Sequence, residues 1–343
     1  PRLSELTLFC IITLKNPETA TMNYLERLQG LFQKLPSNAK CSRCSEQAII
    51  PLPSHNAKFC AECFLIFFQR AVTRGLKKIQ FLKDEPLMVA VSGGKDSLAT
   101  WDILNKLDFE TRGLHINLEI DGFSEASRQA VATFAAQRGL AWSEYSIKNV
   151  FGYSLPEVER RFRKKVCSAC GKLKRQYLNR LTVNEGFKTL VTGHNLDDEA
   201  SRLLGNLLKN RQEYVQKQHP CLPSPHTLVP ARLKPLYRLE IKEILIYCAL
   251  QDISPAEATC PYSSGATSHN YKNALNMLEK DMPGTKRGFL FSYVENKAQP
   301  QGTEDYGYCG LCSYPAYGKF CSLCNLKKQV DDYVSKKKVH SKD

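Results

Sequence analysis

The sequence predicts an α/β fold: a doubly wound, mostly parallel sheet with a small four-cysteine zinc module at each end. Three observations predict it. Short apolar runs with β-branched residues alternate with helical patterns through the middle of the chain. The stretch from Val89 to Ser97 joins one such run to a helix through a glycine turn. Cysteines gather in Cys-x-x-Cys pairs near both ends.

The first residues carry no strong pattern. The apolar stretch Leu6–Leu14 falls far short of the roughly 20 residues a spanning helix needs. Arg2 is its only basic flank and no clear cleavage site follows, so neither a membrane segment nor an export signal is expected. Met22 is read as the natural start and residues 1–21 as an upstream extension. Leu25, Leu28, Leu31 and Phe32 have helical spacing, which predicts a leader helix over Asn23–Leu35.

Next come Cys41, Cys44, Cys60 and Cys63, two pairs separated by 15 residues. Two tight turns of this kind supply four thiolates to one tetrahedral zinc ion. Phe64–Lys83 reads as a basic-edged helix linking this module to the main domain. Pro86–Val91 reads as a buried strand and Asp96 opens a helix. Between them, Ser92-Gly93-Gly94-Lys95-Asp96-Ser97 leaves backbone N–H groups pointing one way at a helix N-terminus, a site suited to phosphate. The spacing is not that of a Walker loop, which needs four residues between its first glycine and Gly-Lys.

Thr111–Ile120 and Ala141–Ile147 read as further strands around a helix over Ser124–Arg138 that Gly139 stops. Pro156–Arg180 holds nine Lys or Arg against Glu157 and Glu159, half of the chain's formal +14. Cys167 and Cys170 lie inside it, where cations should depress a thiol pKa. Lys188–Thr192 reads as a strand, followed by Gly193 and a helix that Asp197 and Asp198 open. Carboxylates at that strand end would face a bound triphosphate and could hold Mg²⁺. Residues 218–238 are proline-rich and read as a long loop. Helices follow over Glu240–Leu250, with Cys248 in the core, and over Asn270–Lys280. Cys309, Cys312, Cys321 and Cys324 form a second, more compact four-cysteine set, and the Lys-rich tail after residue 325 reads as mobile.

Of fourteen cysteines, eight lie in the terminal pairs and two in the central pair; Cys10, Cys221, Cys248 and Cys260 remain. Paired spacing without an export signal points to metal and a cytoplasmic setting rather than to disulfides. The positive charge favours a polyanionic partner such as nucleic acid. The expected organisation is an extension and leader helix (1–40), a zinc module and linker helix (41–85), a catalytic domain (86–300), and a second zinc module with a basic tail (301–343).

Ser92–Ser97 resembles the PP-loop of N-type ATP pyrophosphatases. With Cys167-Ser168-Ala169-Cys170-Gly171, Thr192–Asp198, Cys260-Pro261-Tyr262 and both zinc sets, the chain resembles the TtcA/TtuA family of tRNA 2-thiolation enzymes from about residue 41 to 324. The likeness is to the branch with two zinc modules, which includes wobble-uridine thiolases. It implies ATP and Mg²⁺ at Ser92–Ser97, two Zn²⁺, and an oxygen-sensitive [4Fe-4S] cluster on Cys167, Cys170 and Cys260, with Cys170 and Cys260 in the sulfur chemistry. It implies catalytic or ATP-positioning roles for Lys174 and Asp198, and nucleotide contacts near His115 and Gly193. It also implies tRNA as partner, a homodimer, and a sulfur donor that is a ubiquitin-like thiocarboxylate carrier, a persulfide or free sulfide. The implied reaction adenylates the 2-oxygen of a tRNA pyrimidine, most simply a uridine, and replaces it with sulfur. A PP-loop ligase or amidotransferase without sulfur transfer, and an iron-free persulfide thiolase, are the alternatives. Cys10, Cys221 and Cys248 match no ligand position.

Overall fold

The structure, a computed structural model, describes residues 35–81, 83–263, 268–295 and 306–340. The expected upstream extension, with Cys10, and all of the expected leader helix but Leu35 lie outside them.

Strands β1 (Ile50–Leu52) and β2 (Ala57–Phe59) form an antiparallel hairpin between the first two cysteine pairs. Helix α1 (Ala61–Lys78) starts at Cys60 and buries Phe64, Phe68 and Val72. Then come β3 (Leu87–Ala90), α2 (Lys95–Lys106), β4 (Thr111–Asn117), α3 (Phe123–Arg138) and β5 (Trp142–Ser146). Gly139 ends α3 at φ 63°, a left-handed cap that glycine adopts without strain. The basic segment folds as two helices, α5 (Leu155–Phe162) and α6 (Val166–Asn184), after the short α4 (Ile147–Phe151). Strand β6 (Thr189–Val191) leads into α7 (Leu196–Leu208) and α8 (Gln212–Gln216).

The proline-rich stretch is not simply a loop. It contributes β7 (Cys221–Leu222) and β8 (Ala231–Leu233). Both are too short to show a period, and prolines at 220, 223 and 230 flank them, so the local signal reads as irregular chain. Helices α9 (Ile241–Leu250), α10 (Ser268–Asp281) and α11 (Thr285–Val294) follow. The hairpin β9 (Gly307–Tyr308) and β10 (Pro315–Ala316) frames the last cysteine pairs. The stretch expected to be a mobile tail is instead helix α12 (Ser322–His340). Its Leu323, Leu326 and Val330 are buried, and Tyr153 donates to Asp331 at 2.6 Å.

The main sheet runs β5-β4-β3-β6-β8-β7, parallel except for β7. Side chains alternate across it. Leu87, Val89 and Val91 join Trp101, Phe134, Phe68 and Tyr247 on one face; Met88, Leu114 and Leu190 join Leu155, Leu173 and Leu326 on the other. The strand order reverses beside β3, so the crevice outside the C-terminal ends of β3 and β6 is where such a sheet binds ligand. Trp101 anchors the first core. It is fully buried, and its Nε1 donates to Thr111 Oγ1 at 3.1 Å. Its ring lies where a Cβ on Gly113 would sit, 2.6 Å away. Trp101→Ala is expected to cost about 3–5 kcal/mol, read as a lower urea midpoint.

Candidate active site

The loop between β3 and α2 is held from inside. The Ser92 N–H donates to Ser97 Oγ at 3.1 Å, and that hydroxyl donates to the Gly94 carbonyl at 2.9 Å. Gly93 has φ +76°, and a Cβ there would sit 2.5 Å from the Ser127 carbonyl oxygen. Only glycine fits. Lys95 pairs with Asp96 at 2.7 Å. Beneath the loop His115, 3 % exposed, bonds the Val91 carbonyl through Nδ1 at 2.8 Å, while its Nε2 has no partner. Burial pushes its pKa down, so the ring is a neutral donor to Val91 with an acceptor left over at Nε2.

The end of β6 closes on the same loop. A Cβ on Gly193 would stand 2.7 Å from the backbone carbon and oxygen of Asp96. Asn195 donates to Asp96 Oδ1 at 2.9 Å and caps α7 reciprocally with Asp198. Asp198 pairs with Lys272 of α10 at 2.5 Å. Burial pushes its carboxyl up, but Lys272 outweighs this and holds it below the usual range. Asp197 points elsewhere. It is 4 % exposed, bound to Lys286 at 2.6 Å and to the Ile241 N–H at 2.8 Å. The expectation of a second carboxylate open to Mg²⁺ is therefore corrected: Asp197 is buried in the packing of α7 against α9 and α11, whereas Asp198 stays partly exposed.

Behind α7, Glu199 and Lys234 form a buried pair at 2.8 Å. Burial raises the Glu199 carboxyl, and Lys234 with Arg202 brings it below its ordinary value near 4.5. A carboxylate held low in the fold stabilises it above its ordinary pKa, and that stability is lost as pH falls through the folded value. Lys234→Met should cost about 3–5 kcal/mol at pH 7, because it strands a buried charge. The gap from the parent protein should be smaller near pH 4.5 than at pH 7, because the stranded, buried Glu199 of the variant takes up a proton above its ordinary value while the parent keeps its ion pair to lower pH. Urea midpoints at the two pH values check this. Lys234, Lys272 and Lys286 come from separate elements far along the chain, and no local sequence signal marks them.

Cys167, Cys170 and Cys260 lie near one another at the start of α6. The Cys167 Sγ donates to the Tyr262 carbonyl at 2.8 Å, and Cys170 feels the charges of both other cysteines. The segment that carries Cys260 also reaches the phosphate loop, where the Ala256 N–H donates to the Gly93 carbonyl at 2.9 Å. Four residues of chain span at most about 14 Å. Lys174 stands exposed one turn beyond Cys170. The depressed thiol expected here is not found at Cys170: burial raises its pKa and outweighs the opposing Lys174 and Arg175. The three sulfurs do not converge as ligands of one ion do. A [4Fe-4S] cluster takes one thiolate per iron, so three spaced thiols beside cations suit it.

Each terminal set does converge. All four sulfurs of Cys41, Cys44, Cys60 and Cys63 lie within 4.8 Å of one another, as do those of Cys309, Cys312, Cys321 and Cys324. Sulfurs at about 2.3 Å from a tetrahedral zinc stand about 3.8 Å apart. Cys44 to Cys60 is 3.6 Å and Cys312 to Cys321 is 3.7 Å. Burial opposes ionisation, yet backbone N–H donors bring Cys41 and Cys309 to about 6, thiolates at neutral pH. Arg180, one of the nine cations of the basic segment, turns inward here. It donates to Cys312 at 3.3 Å and stacks 4.2 Å over Tyr314.

Residues 40–65 match the family described as 2-thiouridine synthetase TtuA, N-terminal LIM domain, and residues 66–257 match the PP-loop domain. The tRNA-5-methyluridine(54) 2-sulfurtransferase of Thermus thermophilus is 39% identical over 304 residues, covering 87% of this chain and 94% of that protein. The protein of the same name from Pyrococcus horikoshii is 38% identical over 303 residues, 86% of this chain and 97% of that protein. Cytoplasmic tRNA 2-thiolation protein 1 of Aspergillus niger is 28% identical over 301 residues, 83% of this chain and 87% of that protein. Among solved structures, the U34-tRNA thiolase NcsA of Methanococcus maripaludis, with its [4Fe-4S] cluster, superposes at TM-score 0.72 and 24% identity, over 86% of this chain and 97% of that one. Among the described residues no helix is long and apolar enough to cross a membrane. With a PP-loop on the reversal point of its sheet and relatives of this identity along most of its length, the chain belongs to the PP-loop tRNA 2-sulfurtransferases of the TtuA type.

Proposed function

We propose that this protein thiolates tRNA, using ATP to activate the 2-oxygen of a uridine and replacing that oxygen with sulfur. One observation carries the reading. A single segment bonds the phosphate loop at Gly93 and brings Cys260 and Tyr262 to Cys167, so an activation site and a thiol site share one wall. The base is 5-methyluridine 54, the one named for the relatives at 35–39% identity.

In this reading the backbone N–H groups of Ser92–Ser97 hold the ATP phosphates, with Lys95 offsetting their charge. Asp96 and Asp198, linked through Asn195, would hold Mg²⁺. His115 and Gly193 shape the nucleotide pocket. The uridine 2-oxygen attacks the α-phosphorus and pyrophosphate leaves, carrying its negative charge past Lys95 and Lys174. A sulfide-level sulfur then forms the bond to C2, and AMP departs with the former 2-oxygen. Cys167, Cys170 and Cys260 would hold a [4Fe-4S] cluster, which when bound supplies that sulfur. The two terminal four-cysteine sets would hold zinc, and the outward cations of α5 and α6 face the RNA.

The test uses protein purified without oxygen and reconstituted with iron and sulfide. It is incubated with ATP, Mg²⁺, a sulfide source and tRNA bearing 5-methyluridine 54. Mass spectrometry of digested tRNA should show 5-methyl-2-thiouridine from position 54. Thiolation at position 34 would move the substrate. AMP and pyrophosphate without any thionucleoside would overturn sulfur transfer and favour ligation or amidation.

A further inference from the structure

A cavity of about 520 Å³ lies between the C-terminal four-cysteine module and the β7–β8 hairpin, apart from the phosphate loop. That is the size of a small-ligand site. Gln176 and Asn179 of α6 form its floor, Arg232 of β8 one side, and Tyr306, Tyr314 and Tyr317 the other. The rim is aromatic and open. Tyr317 is 69% exposed, and Tyr308, just outside the cavity, 64%, unusual for rings this large. The Tyr306 and Tyr317 rings stand 4.7 Å apart, and His226 packs edge-on to Tyr306 and Tyr308. The setting is cationic: Lys217 sits 5.6 Å over the Tyr317 ring, and Arg232 lies in the field of Arg175 and Arg202. Gln176 Oε1 is a buried acceptor without a donor.

Exposed aromatic faces, fixed cations and an unused acceptor fit one ligand chemistry. A nucleobase stacks on tyrosine, its amino or imino N–H satisfies an amide oxygen, and its phosphate meets lysine and arginine. The edge strand β7 and the prolines of the wall would also suit a peptide, but the clustered cations favour a polyanion. The place fits too. Gln176 is six residues along α6 from Cys170, about 9 Å of helix rise.

We propose that this cavity takes an unpaired nucleotide of the tRNA, close in space to the base being modified. Tyr317, backed by Tyr306, stacks it, and Lys217 and Arg232 hold its phosphate. The proposal rests on the tRNA reading above.

The experiment measures the Kd for unmodified tRNA across a range of salt concentrations. It compares full-length parent protein with Tyr317→Ala, Tyr317→Trp and Lys217→Ala. Zinc content and melting temperature should not change, since these side chains lie at the surface. Tyr317→Ala should weaken binding roughly five- to a hundredfold, and Tyr317→Trp should retain it. Lys217→Ala should reduce the slope of log Kd against log salt by about one. Irradiating the complex should crosslink RNA to the peptide holding Tyr317. If the parent binds tRNA while all three variants bind it equally well and the crosslinks fall elsewhere, the cavity proposal is overturned and the thiolation reading stands. Normal tRNA binding in variants that no longer crosslink to a protein sulfur carrier would overturn it in favour of a protein contact. A parent that binds no tRNA would overturn both readings.

Discussion

Cys260→Ala abolishes tRNA thiolation and lowers iron content after anaerobic reconstitution, while zinc content stays at the parent level. This result is expected from the geometry around α6. Cys260 is the thiol that the Gly93-bonded segment delivers to the Cys167–Cys170 pair. Without it two thiols remain, too few to hold a cluster firmly, whereas both terminal four-cysteine sets are untouched. Release of AMP and pyrophosphate should continue with tRNA present, because the phosphate loop is intact. Three assays on one sample decide the matter: iron and zinc by elemental analysis, nucleotide products by chromatography, thionucleosides by mass spectrometry. Parent-level thiolation in the variant would remove Cys260 from the chemistry. Lost zinc would show that the substitution had unfolded more than the site.

Gly193→Ala is expected to reduce ATP-dependent activity by about a hundredfold or more. Its new methyl would fall 2.7 Å from the Asp96 carbonyl carbon and oxygen and 2.9 Å from the Ser97 nitrogen. All three are backbone atoms and have no rotamer to yield. The first turn of α2 must move, and with it the N–H groups proposed to hold the phosphates; displacements near 1 Å at such a site cost about this much. Secondary structure by circular dichroism should remain. Full activity in the variant would mean that the β6 end does not set the loop's position during turnover.

The phosphate loop was legible in the sequence because its physics is local. A buried strand, a glycine that needs positive φ and a helix start all sit within a dozen residues. The two terminal cysteine sets were legible because tight turns place paired thiols. The partners of the acidic residues were not legible. Lys272 and Lys286 approach α7 from helices more than seventy residues downstream, and nothing near either lysine marks it as a counter-ion. Asp197 and Asp198 are adjacent in sequence, yet their side chains meet different partners, one Lys286 and the start of α9, the other Lys272 and the Asn195 cap. At Cys170 the neighbouring charges pointed to a low pKa, but depth of burial, a tertiary quantity, won. The last helix reads as a tail because its lysines dominate the composition. The helical spacing of Leu323, Leu326 and Val330 was the signal against that reading.

That last helix also bears on when the protein can fold. Leu323, Leu326 and Val330 fill the same core as Leu114 of β4 and Leu173 of α6, about two hundred and a hundred and fifty residues earlier. On the ribosome the core on the face of the sheet beneath α6 therefore stays incomplete until α12 has emerged. The opposite face can close once α9 has emerged, since its core is built from residues up to Ile253. Synthesis thus passes through an interval in which one half of the molecule is packed and the other offers apolar surface, the state in which chains associate wrongly or engage chaperones. A chain stopped before residue 322 would remain in that state.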